Sequence, residues 1–180
     1  MKITYETERL YMREMTADDF LALSAILQDA DTMYAYEHAF SDEETQAWLD
    51  RQLRRYSDDG FGLWAVVLKD TQVMIGQCGL SMQAVEGELL PEIGYLFNRR
   101  YWHNGYAAEA AIGCRRYAFE ELHLGEVYSI IRDTNLASIN VAIRNGMLAR
   151  RRFVKHYWGV DMPHILFSAR RDEQDLKIEV

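Results

Sequence analysis

The stretch YWHNGYAAEA, residues 101–110, decides the fold. The apolar run before it, Leu89–Phe97, predicts a strand, Asn98–Asn104 predicts a turn, and Gly105 opens a helix that runs to about Leu122. A strand that feeds a glycine turn and then a helix makes an anion site. The first N–H groups of a helix have no intrahelical partner and the macrodipole is positive there, so successive amides around Gly105 suit a phosphate or pyrophosphate. Gly105 and Ala107 keep bulk away from that place. A lone glycine also serves plain strand-to-helix turns, so the specificity has to come from elsewhere.

It comes about thirty residues downstream. A strand Glu126–Arg132 is followed by DTNLASINVAIRNGM, residues 133–147, which reads as a cap, a short helix Leu136–Arg144 and Gly146 as a left-handed stop. Together the two segments resemble the GNAT superfamily of acyl-CoA N-acyltransferases, and within it the RimJ/RimL-like branch of ribosomal-protein N-terminal acetyltransferases. The family's pyrophosphate motif falls on Trp102, Gly105 and Ala107, followed by Tyr106, Glu109 and Ala110 as in that branch. A second family pattern falls on Asn135, Ser138, Val141 and Arg144. TERLYMRE at residues 7–14, IGQCGL at 75–80, EIGYLF at 92–97 and GVD at 159–161 extend the likeness over nearly the whole chain, in order.

The resemblance implies an α/β (α+β) fold: a mixed, mostly antiparallel sheet of about seven strands flanked by helices. It implies acetyl-CoA as cosubstrate and no metal. The end of the strand at Tyr95, Leu96 and Phe97 would pair with the pantetheine amides, and the amides of His103, Asn104, Gly105, Tyr106, Ala107 and Ala108 would hold the pyrophosphate. His103 stands where the family usually has glycine, which makes the turn less permissive. Asn135 would hydrogen-bond the pantetheine arm, cap the helix, or do both. Arg144 reads as a ligand of a CoA phosphate or as a cation at a helix C-terminus.

Composition agrees. At 180 residues and 49% apolar, the chain suits one domain with a sizeable core. Residues 1–172 read as that single domain and 173–180 as a charged tail with little reason to order. Lys plus Arg is 20 against 28 Asp plus Glu, a net charge of −8, which opposes direct nucleic-acid or anionic-membrane binding and suits a cationic amine or basic peptide. No apolar run approaches the roughly 20 residues of a spanning helix, and the N-terminus lacks a signal-peptide core, which points to the cytoplasm. Cys78 and Cys114 lack metal or redox spacing and read as reduced core residues. The likeness leaves monomer and homodimer open.

Between the termini, Arg9–Glu14 reads as a first strand, and Thr16–Asp19 and Ser41–Glu44 as capping boxes of two helices. The second helix carries the stripe Trp48, Leu49, Gln52, Leu53 and Tyr56. Phe61–Leu68, Val73–Met82 and Leu89–Phe97 make an antiparallel meander, and Met147–Tyr157 with Met162–Arg170 a final hairpin.

Acyl transfer to an amine needs a grip on CoA, a donor for the departing thiolate and a route for the amine proton. Ser138 reads either as that donor or as a helix cap, and Glu92 either as a base working through water or as a strand-surface carboxylate. The tyrosine that other branches place seven residues after the asparagine is here Ala142. Neither cysteine has the adjacent histidine of a nucleophile, which favours direct attack in a ternary complex. Tyr34, Tyr36, Phe40, Tyr157 and Trp158 are candidates for an acceptor wall, and Glu37 and His38 lie in a loop that borders the acceptor in such proteins. The expected reaction is acetyl transfer to a primary amine, a protein or peptide N-terminus. Transfer to a small amine (polyamine, amino sugar, antibiotic) and a non-catalytic acyl-CoA sensor remain open.

Overall fold

A computed structural model describes residues 2–36, 38–157 and 159–175. The strands are β1 (Ile3–Glu6), β2 (Leu10–Arg13), β3 (Leu63–Leu68), β4 (Met74–Val85), β5 (Glu88–Phe97), β6 (Glu126–Arg132), β7 (Leu148–Tyr157) and β8 (Val160–Arg170). The longer helices are α1 (Phe20–Leu27), α2 (Asp42–Asp58), α3 (Tyr106–Glu120) and α4 (Leu136–Arg144). Among the described residues the strands form one sheet in the order β1-β2-β3-β4-β5-β6-β8-β7, antiparallel except where β5 meets β6.

The sheet has eight strands where about seven were expected, and β1 is the addition. It is short and half-exposed, but Tyr5 buries its ring edge-on to Trp64 and stacked on Tyr117. That contact explains Gly113, where a Cβ would stand 2.8 Å from Thr7 Cγ2 and 2.9 Å from the Tyr5 ring.

The sheet is covered on both faces. On one, Ala110, Ala111, Cys114 and Ala118 of α3 pack on Met12, Trp64, Leu80 and Ile93, small side chains that let the helix approach closely. On the other, Leu23, Ile26, Leu27 and Leu49 of α1 and α2 meet Ala65 and Val67. Every residue of β3 is therefore buried.

Local signals act as read, with small shifts of boundary. Ser41 and Glu44 form the reciprocal capping box of α2, at 2.8 and 3.2 Å. The Thr16–Asp19 box opens a single 3-10 turn, Ala17–Asp19, from which α1 continues. The β4–β5 hairpin turns on two residues, Glu86 and Gly87, both with positive φ, so β5 begins at Glu88. The last hairpin is tighter than expected: β8 begins at Val160, whose Cα pairs with Tyr157. Asp172–Asp175 forms one helical turn, and Glu173 pairs with Arg150 at 2.5 Å, so the first residues of the expected tail are placed. No helix among the described residues is long and apolar enough to cross a membrane.

Candidate active site

β5 and β6 are parallel neighbours with a single register pair, Glu92 with Tyr128, and then part. Side chains take over the ladder at the split. Ser129 Oγ donates to the Ile93 carbonyl at 2.9 Å, and Glu92 Oε1 accepts from the Ile130 N–H at 3.2 Å. Both groups would otherwise bond across to the neighbouring strand. The cleft opens toward the C-terminal ends of both strands, where α3 and α4 begin, so two helix N-termini and their unpaired amides lie at its mouth.

Alternation of backbone direction settles which part of β5 faces the gap. Leu96 pairs in register with Gln77 of β4, while the Ile93 and Phe97 carbonyls meet Ser129 and the Trp102 indole on the other side. The free edge therefore consists of Tyr95 and the Phe97 N–H. Leu96 turns its backbone to β4, contrary to the expectation that it lines the edge, and its side chain packs with the α1–α2 cluster. The Phe97 carbonyl is occupied as well, by Trp102 Nε1 at 2.8 Å.

The turn after β5 is built for close approach. His103 and Gly105 both have positive φ, +63° and +81°, so His103 adopts the conformation that glycine favours. Asn104 Nδ2 closes the turn on the Tyr101 and Trp102 carbonyls at 3.2 and 2.9 Å. Gly105 is the N-cap of α3 and has no side chain to satisfy the amides of Tyr106, Ala107 and Ala108. The Arg9 guanidinium lies 4.4 Å from the Tyr106 ring centre and 3.6 Å from where a Gly105 Cβ would be. It is held there by Glu109, which also accepts from Thr7 Oγ1 at 2.6 Å. Arg9 and Glu109 were legible as family likeness, but their meeting across about a hundred residues was not.

At α4, Asn135 is the N-cap: its Oδ1 accepts the Ser138 N–H at 3.1 Å. Ser138 is thus the capped residue and not the cap, and its hydroxyl makes no hydrogen bond among the described residues. Tyr95 bridges the cleft floor, its hydroxyl donating to the Ser138 carbonyl at 2.9 Å, and burial holds the phenol well above its usual range. Arg144 is exposed at the other end of α4, about 13 Å along the axis from Asn135 at 1.5 Å per residue. Ala142 is buried, leaving no room for a tyrosine.

Glu92 faces away from α3. Burial pushes its carboxyl up to about 7, against the opposing pull of Lys155, the Ile130 N–H and Arg55. Arg55 donates only to Gln52, at 3.4 Å, and neither it nor Lys155 forms an ion pair among the described residues. Burial lowers the Arg55 guanidinium below its ordinary value. On the acceptor side, Tyr36 and Phe40 pack on Trp48 at 6.3 and 5.8 Å, and His38 meets Glu44 at 2.9 Å. Glu37 and Trp158 lie outside the described residues, as does the side chain of Tyr157. Cys78 and Cys114 are free thiols buried in the core. An open pocket lined by Gly125, Glu126, Arg170, Arg171 and Asp172 lies at the opposite end of β6 and contains none of these candidates.

The chain belongs to the acetyltransferase (GNAT) domain family, whose pattern it matches over residues 9–148. It is an acyltransferase, and the GNAT family uses acetyl-CoA. The uncharacterized protein YkkB of Bacillus subtilis is 38% identical over 142 residues, 78% of this chain and 83% of its own. A GNAT-family acetyltransferase from Bacillus anthracis superposes with a TM-score of 0.81 at 23% identity, covering 93% of this chain and 98% of that one. RimL, a ribosomal L7/L12 alpha-N-protein acetyltransferase in complex with coenzyme A, superposes with a TM-score of 0.77 at 17% identity, covering 95% and 99%.

Proposed function

We propose that the protein transfers the acetyl group of acetyl-CoA to a primary amine, a protein or peptide N-terminus, in the manner of the RimJ/RimL-like branch. The observation that carries this reading is the parted β5–β6 pair with two helix N-termini at its mouth. Tyr95 and the Phe97 N–H offer a strand edge to the pantetheine amides, the amides from His103 to Ala108 take the pyrophosphate, and Asn135 takes the pantetheine arm. Arg9, paired with Glu109, brings its guanidinium N–H groups beside the pyrophosphate turn. Arg144 fits a helix-terminal cation better than a ligand of the pyrophosphate.

In the reaction, the amine nitrogen attacks the thioester carbonyl directly, the C–N bond forms and the C–S bond breaks. Glu92 receives the amine proton through water, and the Ser138 hydroxyl protonates the departing thiolate and is reprotonated from solvent as Glu92 releases its proton there. A carboxyl with a pKa near neutrality is matched to that task. The buried thiols of Cys78 and Cys114 give no support to an acyl-cysteine route.

Arg55 and Lys155 lie near Glu92 without an ion pair among the described residues, which favours a peptide N-terminus over a polyamine, whose several charges they would repel. We place the reaction in the cytoplasm, in a single domain over residues 1–172. Two comparisons test this reading. Acetyl-CoA at a hundredfold excess over its dissociation constant should stabilise the fold by about 2.7 kcal/mol, and NADH should not. Peptides should outcompete polyamines, amino sugars and aminoglycosides as acceptors, and the reverse preference would move the assignment to a small-amine acetyltransferase.

A further inference from the structure

The loop between α1 and α2 reaches across the cleft. Asp29 starts it, accepting from the Asp31 N–H at 3.2 Å and Thr32 Oγ1 at 2.9 Å. Arg99, in the turn that follows β5, pairs with Asp29 at 3.3 Å and with Asp31, which pins the loop beside the pyrophosphate turn. Five residues after Asp29, the Tyr34 hydroxyl donates to Asn135 Oδ1 at 2.5 Å. The Tyr34 side chain is half exposed and belongs to no core cluster, so packing does not account for its place.

Asn135 Oδ1 now has two donors, the Tyr34 hydroxyl and the Ser138 N–H. The amide N–H identifies the atom facing it as oxygen, because two donors cannot face each other. With the oxygen committed, the Asn135 Nδ2 group points the other way and has no partner among the described residues. An asparagine capping a helix through one hydrogen bond can still swing about χ2; a second donor removes that freedom before any ligand arrives.

We propose that Tyr34 is a positioning residue for the cosubstrate: it locks the Asn135 amide with Nδ2 presented to the cleft as a ready donor for a pantetheine carbonyl. This rests on the assignment of the cleft to acetyl-CoA. Tyr34 is 101 residues from Asn135 in the chain, and its contribution is the hydroxyl alone.

The test is a double-mutant cycle on acetyl-CoA affinity by calorimetry, with thermal unfolding of each unliganded variant. Tyr34→Phe keeps the ring and should weaken acetyl-CoA about five- to tenfold, the scale of one net hydrogen bond. The KM for acetyl-CoA should rise in step while kcat stays within about twofold, and the unfolding temperature should not move. In the Asn135→Ala background, Tyr34→Phe should have no further effect. Undiminished affinity in Tyr34→Phe, or an equal loss in both backgrounds, overturns the inference alone. Failure of the wild type to bind acetyl-CoA overturns the inference together with the assignment it rests on.

Discussion

The Glu92 carboxylate accepts the Ile130 backbone N–H at 3.2 Å, at the point where β5 and β6 stop pairing. One side chain thereby does two things. It satisfies a strand edge that the split would leave open, and it places an acid at the apex of the cleft. The same hydrogen bond favours the ionised form, yet burial outweighs it and the carboxyl rises to about 7.

Glu92→Gln should therefore separate stability from activity. The raised value means the fold resists ionisation, so wild-type stability falls as pH climbs from the ordinary 4.5 through about 7 and stays lower above. Gln keeps an oxygen for the Ile130 N–H and carries no charge. Its unfolding temperature should equal that of wild type near pH 4 and exceed it at about pH 8. Turnover should fall, most severely above about pH 7 where the wild-type carboxyl is ionised, and the deficit should shrink at lower pH where that carboxyl is itself protonated. A pH-independent deficit would leave Glu92 a structural role.

Gly105→Gln should weaken acetyl-CoA by tenfold or more, about 1.4 kcal/mol. The cause is conformational and not steric, since a Cβ would meet only Arg9, at 3.6 Å, while φ is +81°. Forcing an ordinary residue into that region costs about 1–2 kcal/mol. Gly105→Asn, which tolerates positive φ, should retain most of the affinity. Calorimetry that finds wild-type affinity in folded Gly105→Gln would remove the pyrophosphate from this turn.

Ser138 and Asn135 should respond differently to truncation. Ser138→Ala removes a hydroxyl that makes no hydrogen bond among the described residues, so stability should hold while kcat drops and acetyl-CoA affinity changes little. Asn135→Ala removes the oxygen that caps α4 and should cost about 1 kcal/mol of stability together with affinity. A stability loss in Ser138→Ala without a selective kcat defect would return its hydroxyl to a structural role.

What the sequence made legible was local. The Ser41–Glu44 box, the Gly146 stop at φ +73° and the strand–glycine–helix passage around Gly105 depend on neighbours in the chain. The cleft's inner arrangement does not. That Leu96 faces β4 while Tyr95 faces the gap follows from register, which no single strand encodes. β1 has four residues and escaped a periodicity reading because its burial comes from Tyr5 meeting α3 and β3 partners far along the chain. The meetings of Arg9 with Glu109, Tyr34 with Asn135 and Glu92 with Ile130 are likewise tertiary. Asn135 and Ser138 could be singled out together from the family pattern they resemble, but only the folded turn shows which of them is the cap.

The most direct measurement is release of free CoA thiol from acetyl-CoA, followed with and without an N-terminal peptide or small amine. Acceptor-dependent thiol release is expected, with the acetyl group recovered on the peptide's α-amine and the rate rising through about pH 7 with ionisation of Glu92. Tight acetyl-CoA binding with no thiol release above hydrolysis for any amine would contradict it, and would make the cleft a binding site without a reaction.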